Sequence, residues 1–150
     1  MLASMIVTDA EAIRRIAGRA RRVAVLGIKS EKQALQPAFY VPEHLASAGV
    51  EIVPVPVYYP EVTTILGRPV VRTLAAIEGP IDIVDVFRRP EDLEAHEADL
   101  LAKRPTVVWL QSGIRHDALA ERLSAAGIDV VQDRCLMVEH RAARAAGIKP

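Results

Sequence analysis

The sequence predicts an α/β fold, a three-layer Rossmann-like parallel sheet with helices on both faces. Residues 23–26 form a continuous apolar run without alternation, so this strand is expected in the middle of a sheet that is covered on both sides. Predicted strands and helices then alternate through five cycles, which indicates parallel pairing with right-handed crossovers. With 150 residues, 51% hydrophobic and 25% charged, the chain is predicted to form a single domain over residues 1–150.

The first predicted helix covers about residues 8–18 and precedes the first strand. Thr8 as its cap and Glu11 three residues later match a capping box. After the strand and its loop, Pro37 begins a second helix, which Gly49 ends. The residues of this helix that are expected to face the sheet are Phe39, Val41, Leu45 and Ala48.

The second strand is predicted within residues 52–57. Two prolines there remove ladder donors, so full pairing is expected only over its first half. Residues 58–69 are predicted to be a connecting loop, and a short helix over 73–77 follows. A third main strand is then predicted over residues 81–87, where apolar and β-branched residues dominate.

Three more helices and two strands complete the predicted sheet. Pro90, followed by two acidic residues, begins a helix that ends before Pro105. The remaining elements are a strand over 106–110, a helix from Asp117 to Gly127, a short last strand over 128–131 and a closing helix over about 137–146.

The composition disfavours several classes of function. Lys plus Arg equals Asp plus Glu at 19 each and aromatic residues make up 4%, so neither a basic surface nor stacking platforms for a nucleic acid are expected. No apolar run approaches membrane-spanning length and no secretory signal pattern is present, which predicts a cytoplasmic protein without a membrane partner. The four histidines are scattered without metal-ligand spacing, so no metal site is predicted.

The loop after the first strand has the composition of an anion site. Gly27 lets a ligand approach the backbone, and Ser30 supplies a hydroxyl. Lys29 and Lys32 add two cations within the same few residues. A single glycine is a weak signal, however, because the dinucleotide-binding fingerprint has three. An ordinary turn with exposed lysines is an equal alternative on these residues alone.

The other strand ends help to decide between these readings, because ligands of such sheets bind beyond the carboxyl ends of the strands. An NAD site needs a carboxylate at the end of the second strand, but this position is Val or Pro, and the first acid downstream is Glu61. A nucleotide with extra phosphates fits better. Lys29, Lys32 and Arg88 can bind phosphates, and residues 54–57 form an apolar segment for a purine face.

Three segments resemble those of stand-alone CoA-binding domain proteins, relatives of the CoA-binding domain of the succinyl-CoA synthetase alpha subunit. They are residues 82–89 (DIVDVFRR), 108–113 (VWLQSG) and 133–140 (DRCLMVEH), and the resemblance extends over about residues 15–141. Coenzyme A is the cofactor that this resemblance implies.

The resemblance also implies a set of site residues. Those near the diphosphate are Gly27, Ile28, Lys29 and Ser30; Tyr40 lines the site; Val55, Pro56, Val57, Phe87 and Arg88 border the nucleotide and pantetheine. Many family members have Asn-Pro where this chain has Val55-Pro56, so one polar contact fewer is expected there.

Three functions stay open at this stage. No nucleophile, base and orienting acid are recognisable together, so the first hypothesis is a non-catalytic module that binds, carries or senses CoA or an acyl-CoA. The second is a small NAD(P)-binding oxidoreductase, which the missing acid and glycines disfavour, and the third is an interaction subunit with a vestigial groove. A protein partner, including a second copy of the chain, is left open. Cys135 is expected to be a buried hydrophobe, or a redox partner of the CoA thiol if it lies near that end of the ligand.

Overall fold

The computed structural model describes residues 4–150 and contains a five-stranded parallel sheet in the order β2-β1-β5-β6-β7. The strands are β1 (Arg22–Leu26), β2 (Glu51–Val55), β3 (Thr64–Ile65), β4 (Arg68–Pro69), β5 (Ile83–Val86), β6 (Val107–Leu110) and β7 (Asp129–Val131), of which β3 and β4 form a separate antiparallel pair. The helices are α1 (Ala10–Arg19), α2 (Pro37–Ser47), α3 (Glu97–Lys103), α4 (Asp117–Ala125) and α5 (Leu136–Ala145). The predicted Rossmann-like α/β fold is confirmed.

Two apolar layers enclose the sheet. One contains buried residues of α1, α2 and α5, such as Ile13, Leu45 and Leu136. The other contains residues of α3 and α4, such as Leu100 and Leu123. Burial of this apolar surface against both faces is the main favourable contribution to folding.

Strand β1 lies in the interior of the sheet, as its continuous apolar run predicts. Val23 and Val25 belong to one apolar layer, and Ala24 and Leu26 belong to the other. Successive side chains of a strand point to opposite faces, so a strand covered on both faces buries all its side chains, and those of residues 23–26 are all apolar.

The second strand lies at the edge of the sheet and pairs further than the sequence predicts. Its register with β1 continues through Pro54 opposite Val25 to Val55 opposite Leu26. A proline is compatible with this position because an edge strand has one side without a neighbouring strand. On that outer side, the backbone N–H of Val71 donates to the carbonyl oxygen of Pro54 at 2.9 Å.

The cap of the first helix differs from the prediction. Asp9, not Thr8, is the cap residue, because its carboxylate accepts a hydrogen bond from the backbone N–H of Ala12 at 2.9 Å. Thr and Asp both cap helices well, so the sequence alone does not decide which of these two adjacent residues is the cap. The helix therefore begins two residues later than predicted, and α5 begins one residue earlier.

The predicted loop over residues 58–69 contains the β3-β4 hairpin, so this prediction is wrong in part. The guanidinium of Arg72 donates to the carbonyl oxygens of Val62 at 2.6 Å and Tyr59 at 3.1 Å, which holds the segment folded back. The helix predicted from Pro90 also differs, since it begins as a 3-10 helix over Pro90–His96 and becomes regular only in α3. Within residues 4–150, no helix is long and apolar enough to cross a membrane.

Candidate functional site

The strand order reverses between β1 and β5, and a cavity opens at their carboxyl ends. From β1 the chain continues to β2 on one side, and β5 lies on the other side of β1, with Leu26 opposite Val86. Sheets of this kind bind ligands at such a switch point. The cavity, here called the Lys29 cavity, has a volume of about 200 Å³ and is lined by Gly27, Ile28, Lys29, Tyr58, Tyr59, Phe87, Arg88 and Arg89.

Gly27 is required by the neighbouring loop rather than by a ligand. Its φ is +86°, and an added Cβ would lie 2.3 Å from the carbonyl oxygen of Phe87 and 3.2 Å from Cδ of Arg88. Only glycine combines this backbone conformation with so close an approach. The neighbouring loop thus accounts for this glycine without a ligand, and the backbone of Gly27 also lines the Lys29 cavity.

Backbone hydrogen bonds fix the shape of the loop after β1. The N–H of Gly27 donates to the carbonyl oxygen of Val55 at 2.9 Å, and the N–H of Lys29 donates to that of Ala38 at 3.1 Å. Ser30 is buried, and its hydroxyl and backbone N–H both donate to Oε1 of Gln33, at 2.8 and 3.1 Å. The hydroxyl that the sequence suggested for a phosphate therefore stabilises the loop.

Arg88 is held in the wall of the cavity. Its Nε donates to Nε2 of His96 at 3.1 Å, and one terminal nitrogen donates to the hydroxyl of Tyr58 at 3.4 Å. The guanidinium carbon also lies 5.5 Å from the centre of the Tyr58 ring, a cation–π distance. The hydrogen bond from Arg88, followed by its charge, lowers the pKa of Tyr58.

Three cations therefore line the Lys29 cavity, and Asp92 partly neutralises two of them, Arg89 more closely than Arg88. Arg89 donates to a carboxylate oxygen of Asp92 at 2.8 Å, and this hydrogen bond lowers the pKa of Asp92. Arg88 lies 3.7 Å from the same carboxylate. Lys29 and Arg88 thus remain the two cations best placed to meet an anion in the cavity.

A second cavity of about 340 Å³ shares the lining residue Phe87 with the first. It is here called the Cys135 cavity, and it is lined by Gln36, Pro37, Ala38, Tyr40, Val41, Phe87, Gln111, Ser112, Ile114 and Cys135. Half of these side chains are apolar and none is charged, whereas three cations line the Lys29 cavity. The two together suit a ligand with a charged end and a less polar arm.

The structure brings part of the predicted site together. The predicted residues in the Lys29 cavity are Gly27, Ile28, Lys29, Phe87 and Arg88, and Tyr40 lines the Cys135 cavity. Those that line neither cavity are Ser30, Lys32, Val55, Pro56 and Val57. Val55 and Ile28 are each 1% exposed, and both side chains belong to the apolar layers.

Other residues of these cavities were missing from the predicted site. Tyr58 and Tyr59 lie in the predicted loop after β2, and nothing in the sequence indicated where that loop folds. Gln111 and Ser112 follow β6 and belong to the segment 108–113 that carries the resemblance, which assigned them no role. A third cavity of about 360 Å³ lies at the opposite, amino edge of the sheet next to α1 and contains none of the predicted residues.

Two ionisable side chains are buried outside these cavities. Both carboxylate oxygens of Asp85 and both ring nitrogens of His140 lack hydrogen-bond partners among residues 4–150. Burial raises the pKa of Asp85 well above its usual value. Burial, then the charges of Arg144 and His44, lowers the pKa of His140 to about 4. In the described part of the chain, no group of three or more His, Cys, Asp or Glu residues could hold a metal ion.

The fold and the cavities define a Rossmann-like protein with a cationic pocket at the point where its strand order reverses. The chain belongs to the CoA binding domain family, whose model matches residues 21–141. Membership of this family supports a role in binding coenzyme A.

Relatives cover nearly the whole chain. The Uncharacterized protein YneT of Bacillus subtilis (strain 168) is 34% identical over 128 residues, which are 85% of this chain and 91% of that protein. The structure of cell-free ID.343 from Thermus thermophilus is 40% identical with a TM-score of 0.81 and covers 91% of this chain and 99% of its own. A hypothetical protein from Pyrococcus horikoshii OT3 is 25% identical with a TM-score of 0.80, covering 96% and 99%.

Proposed function

We propose that this chain binds coenzyme A or an acyl-CoA and acts as a carrier or sensing module that does not itself transform the ligand. In this proposal, the phosphates of CoA occupy the Lys29 cavity, and the pantetheine arm extends past Phe87 into the Cys135 cavity. The observation that carries the proposal is the position of Lys29 and Arg88 at the strand-order reversal of a chain that belongs to the CoA binding domain family.

The chemistry of the two cavities supports this orientation. Phosphate oxygens accept charge-assisted hydrogen bonds from ammonium and guanidinium groups, which Lys29 and Arg88 supply. The two hydrogen bonds of Arg88 within residues 4–150 engage two of its five N–H donors, so others can bind a ligand. The pantetheine arm is uncharged, and it suits the wall formed by Pro37, Val41 and Ile114.

The absence of turnover is proposed from the side chains that line the cavities. A nucleophilic mechanism needs a nucleophile within reach of a base that a third group orients. The polar side chains of the Cys135 cavity are those of Gln36, Tyr40, Gln111, Ser112 and Cys135, which include no histidine and no carboxylate. Among them, Gln111 already accepts a hydrogen bond from the backbone N–H of Leu136 at 2.8 Å.

Calorimetric titration of the full chain with CoA tests the proposed site. Lys29→Ala should weaken CoA binding by about tenfold or more, because a charge-assisted hydrogen bond of a partly buried group is worth about 1.5–3 kcal/mol. Lys32→Ala is the matched control, since Lys32 carries the same charge on the same loop but lines neither cavity. At about 0.15 M salt, it should change the affinity by less than about threefold.

Dephospho-CoA distinguishes the phosphates that Lys29 meets. If Lys29 contacts the diphosphate, Lys29→Ala should weaken CoA and dephospho-CoA equally; if it contacts the 3′-phosphate, only CoA should be weakened. Equal affinities of the parent and a folded Lys29→Ala variant for both ligands would contradict the proposed site.

A further inference from the structure

His96 accepts the hydrogen bond that fixes the inner end of the Arg88 guanidinium. The Nε–H of Arg88 points to Nε2 of His96 at 3.1 Å, and the Arg88 side chain is only 14% exposed. His96 itself is half-buried at the end of the 3-10 helix over Pro90–His96. An imidazole nitrogen accepts such a bond only while it carries no proton, so this contact requires neutral His96.

The charged groups around His96 are engaged elsewhere or oppose its protonation. Asp92 lies on the same 3-10 helix but is bound to Arg89 at 2.8 Å. Asp99 of α3 accepts hydrogen bonds from two backbone N–H groups, those of Leu74 at 2.7 Å and Ala75 at 2.9 Å. Burial of His96 and then the charge of Arg88 lower the pKa of His96, and this effect outweighs the two carboxylates, which act in the opposite direction.

We infer that His96 is a positioning residue that orients Arg88 toward the phosphates of CoA and makes CoA binding sensitive to acid. The inference rests on the proposed function, because it assigns a role to a side chain behind the proposed phosphate site. His96 does not line the Lys29 cavity and acts only through Arg88.

Loss of this contact should weaken binding through the freedom of the Arg88 side chain. With neutral His96, the guanidinium is anchored at Nε and can present its remaining N–H groups in one orientation. Without this anchor only the longer contacts with Tyr58 and Asp92 hold the guanidinium, so the ligand must immobilise more of the side chain, which corresponds to about threefold to tenfold in affinity. Protonated His96 adds a positive charge beside Arg88 and removes the acceptor at the same time.

Titration calorimetry of the full chain with CoA between pH 8 and pH 5 tests the inference with two variants. His96→Gln keeps an acceptor oxygen that does not titrate, and His96→Leu has no acceptor. At pH 8, we expect His96→Gln to bind within about twofold of the parent and His96→Leu to bind about threefold to tenfold more weakly. If His96→Gln retains the affinity that His96→Leu loses, the hydrogen bond to Arg88, and not only the packing of the side chain, is what His96 contributes.

The dependence on pH supplies the second readout. As the pH falls, the parent should lose about threefold to tenfold in affinity relative to His96→Gln. The 3′-phosphate of CoA titrates in the same range, but its effect cancels in this ratio because both proteins meet the same ligand. Circular dichroism at each pH verifies that every variant is folded.

Three results would overturn the inference. Unchanged affinity of His96→Leu at pH 8 would show that Arg88 needs no anchor, and identical pH profiles of the parent and His96→Gln would show that His96 does not titrate in this role. A gain in the parent's relative affinity at low pH would mean that His96 acts as a cation instead. If these variants behave alike while Lys29→Ala still weakens CoA, only the role of His96 fails; a parent without CoA binding refutes the proposed function as well.

Discussion

Acidification should destabilise the fold through one buried histidine, His140. Its side chain lies between α5 and α2, is 1% exposed and has the His44 ring 6.2 Å away in an edge-on arrangement. Both ring nitrogens lack partners within residues 4–150, so a proton on this ring would be a buried charge without compensation. The folded state therefore keeps the pKa of His140 near 4, compared with 6.5 for a free imidazole.

The size of the effect follows from these two pKa values. Between pH 6.5 and 4, the unfolded chain binds a proton at His140 that the folded chain does not bind, so the unfolding free energy falls as the pH falls. Through His140 alone, the unfolding free energy should fall by about 2 kcal/mol from pH 7 to pH 5 and by about 3 kcal/mol from pH 7 to pH 4. Above pH 6.5, this contribution is fully present.

Urea unfolding of the parent and His140→Phe at pH 7, 6, 5 and 4 measures this contribution. Phenylalanine keeps an aromatic ring but cannot titrate, so the variant should retain stability that the parent loses on acidification. The difference between the two proteins isolates His140, because all carboxylates titrate in both. His44→Phe is the comparison variant. His44 is half-buried and its pKa is also lowered, so this variant should retain less stability at low pH than His140→Phe does. Parallel pH profiles of the parent and His140→Phe would refute this reasoning.

Three further changes test individual features. In urea unfolding, Gly113→Ala should lower the unfolding free energy by about 1–2 kcal/mol, the strain of a left-handed backbone, because open space surrounds Gly113. Gly27→Ala should lower it by more, because its Cβ would also lie 2.3 Å from the carbonyl oxygen of Phe87. Incubation with CoA disulfide should add one CoA to Cys135 by thiol–disulfide exchange that releases one CoA thiol, and intact mass spectrometry without a reducible adduct would contradict its proximity to the CoA thiol. Burial raises the pKa of Asp85, so the parent loses stability as the pH rises above 3.8, whereas Asp85→Asn does not. The unfolding free energy of Asp85→Asn minus that of the parent should therefore rise from pH 4 to pH 8, and a difference independent of pH would contradict this.

The sheet could be predicted because the signals for its strands are local. The run through Val25 has no polar position, and each later strand is an apolar segment bounded by turn residues. The β3-β4 hairpin could not be found in this way, since its strands have two residues each. Its position depends on Arg72, whose hydrogen bonds to backbone carbonyls more than nine residues earlier leave no local pattern.

The candidate site was predictable to the extent that it follows from strand order. Lys29 and Arg88 follow two strands that are adjacent at the reversal, so the rule for parallel sheets brings them together. The rule does not predict which side chains of a loop form hydrogen bonds within the chain and which remain available to a ligand. Ser30 carries a hydroxyl suited to a phosphate, yet Gln33 engages it, and His96 reaches Arg88 only through the turn after β5.

Thermal unfolding of the full chain with a panel of nucleotides is the decisive measurement of ligand identity. The panel contains CoA, acetyl-CoA, NAD, NADP, ATP and S-adenosylmethionine. A ligand that binds only the folded state adds about 2.7 kcal/mol at 100 times its dissociation constant, or roughly 5–10 °C for a chain of this size. We expect this stabilisation with CoA and acetyl-CoA and little with the others. Equal stabilisation by NAD and CoA, or none by CoA, would contradict the proposal that this chain is a coenzyme A-binding module.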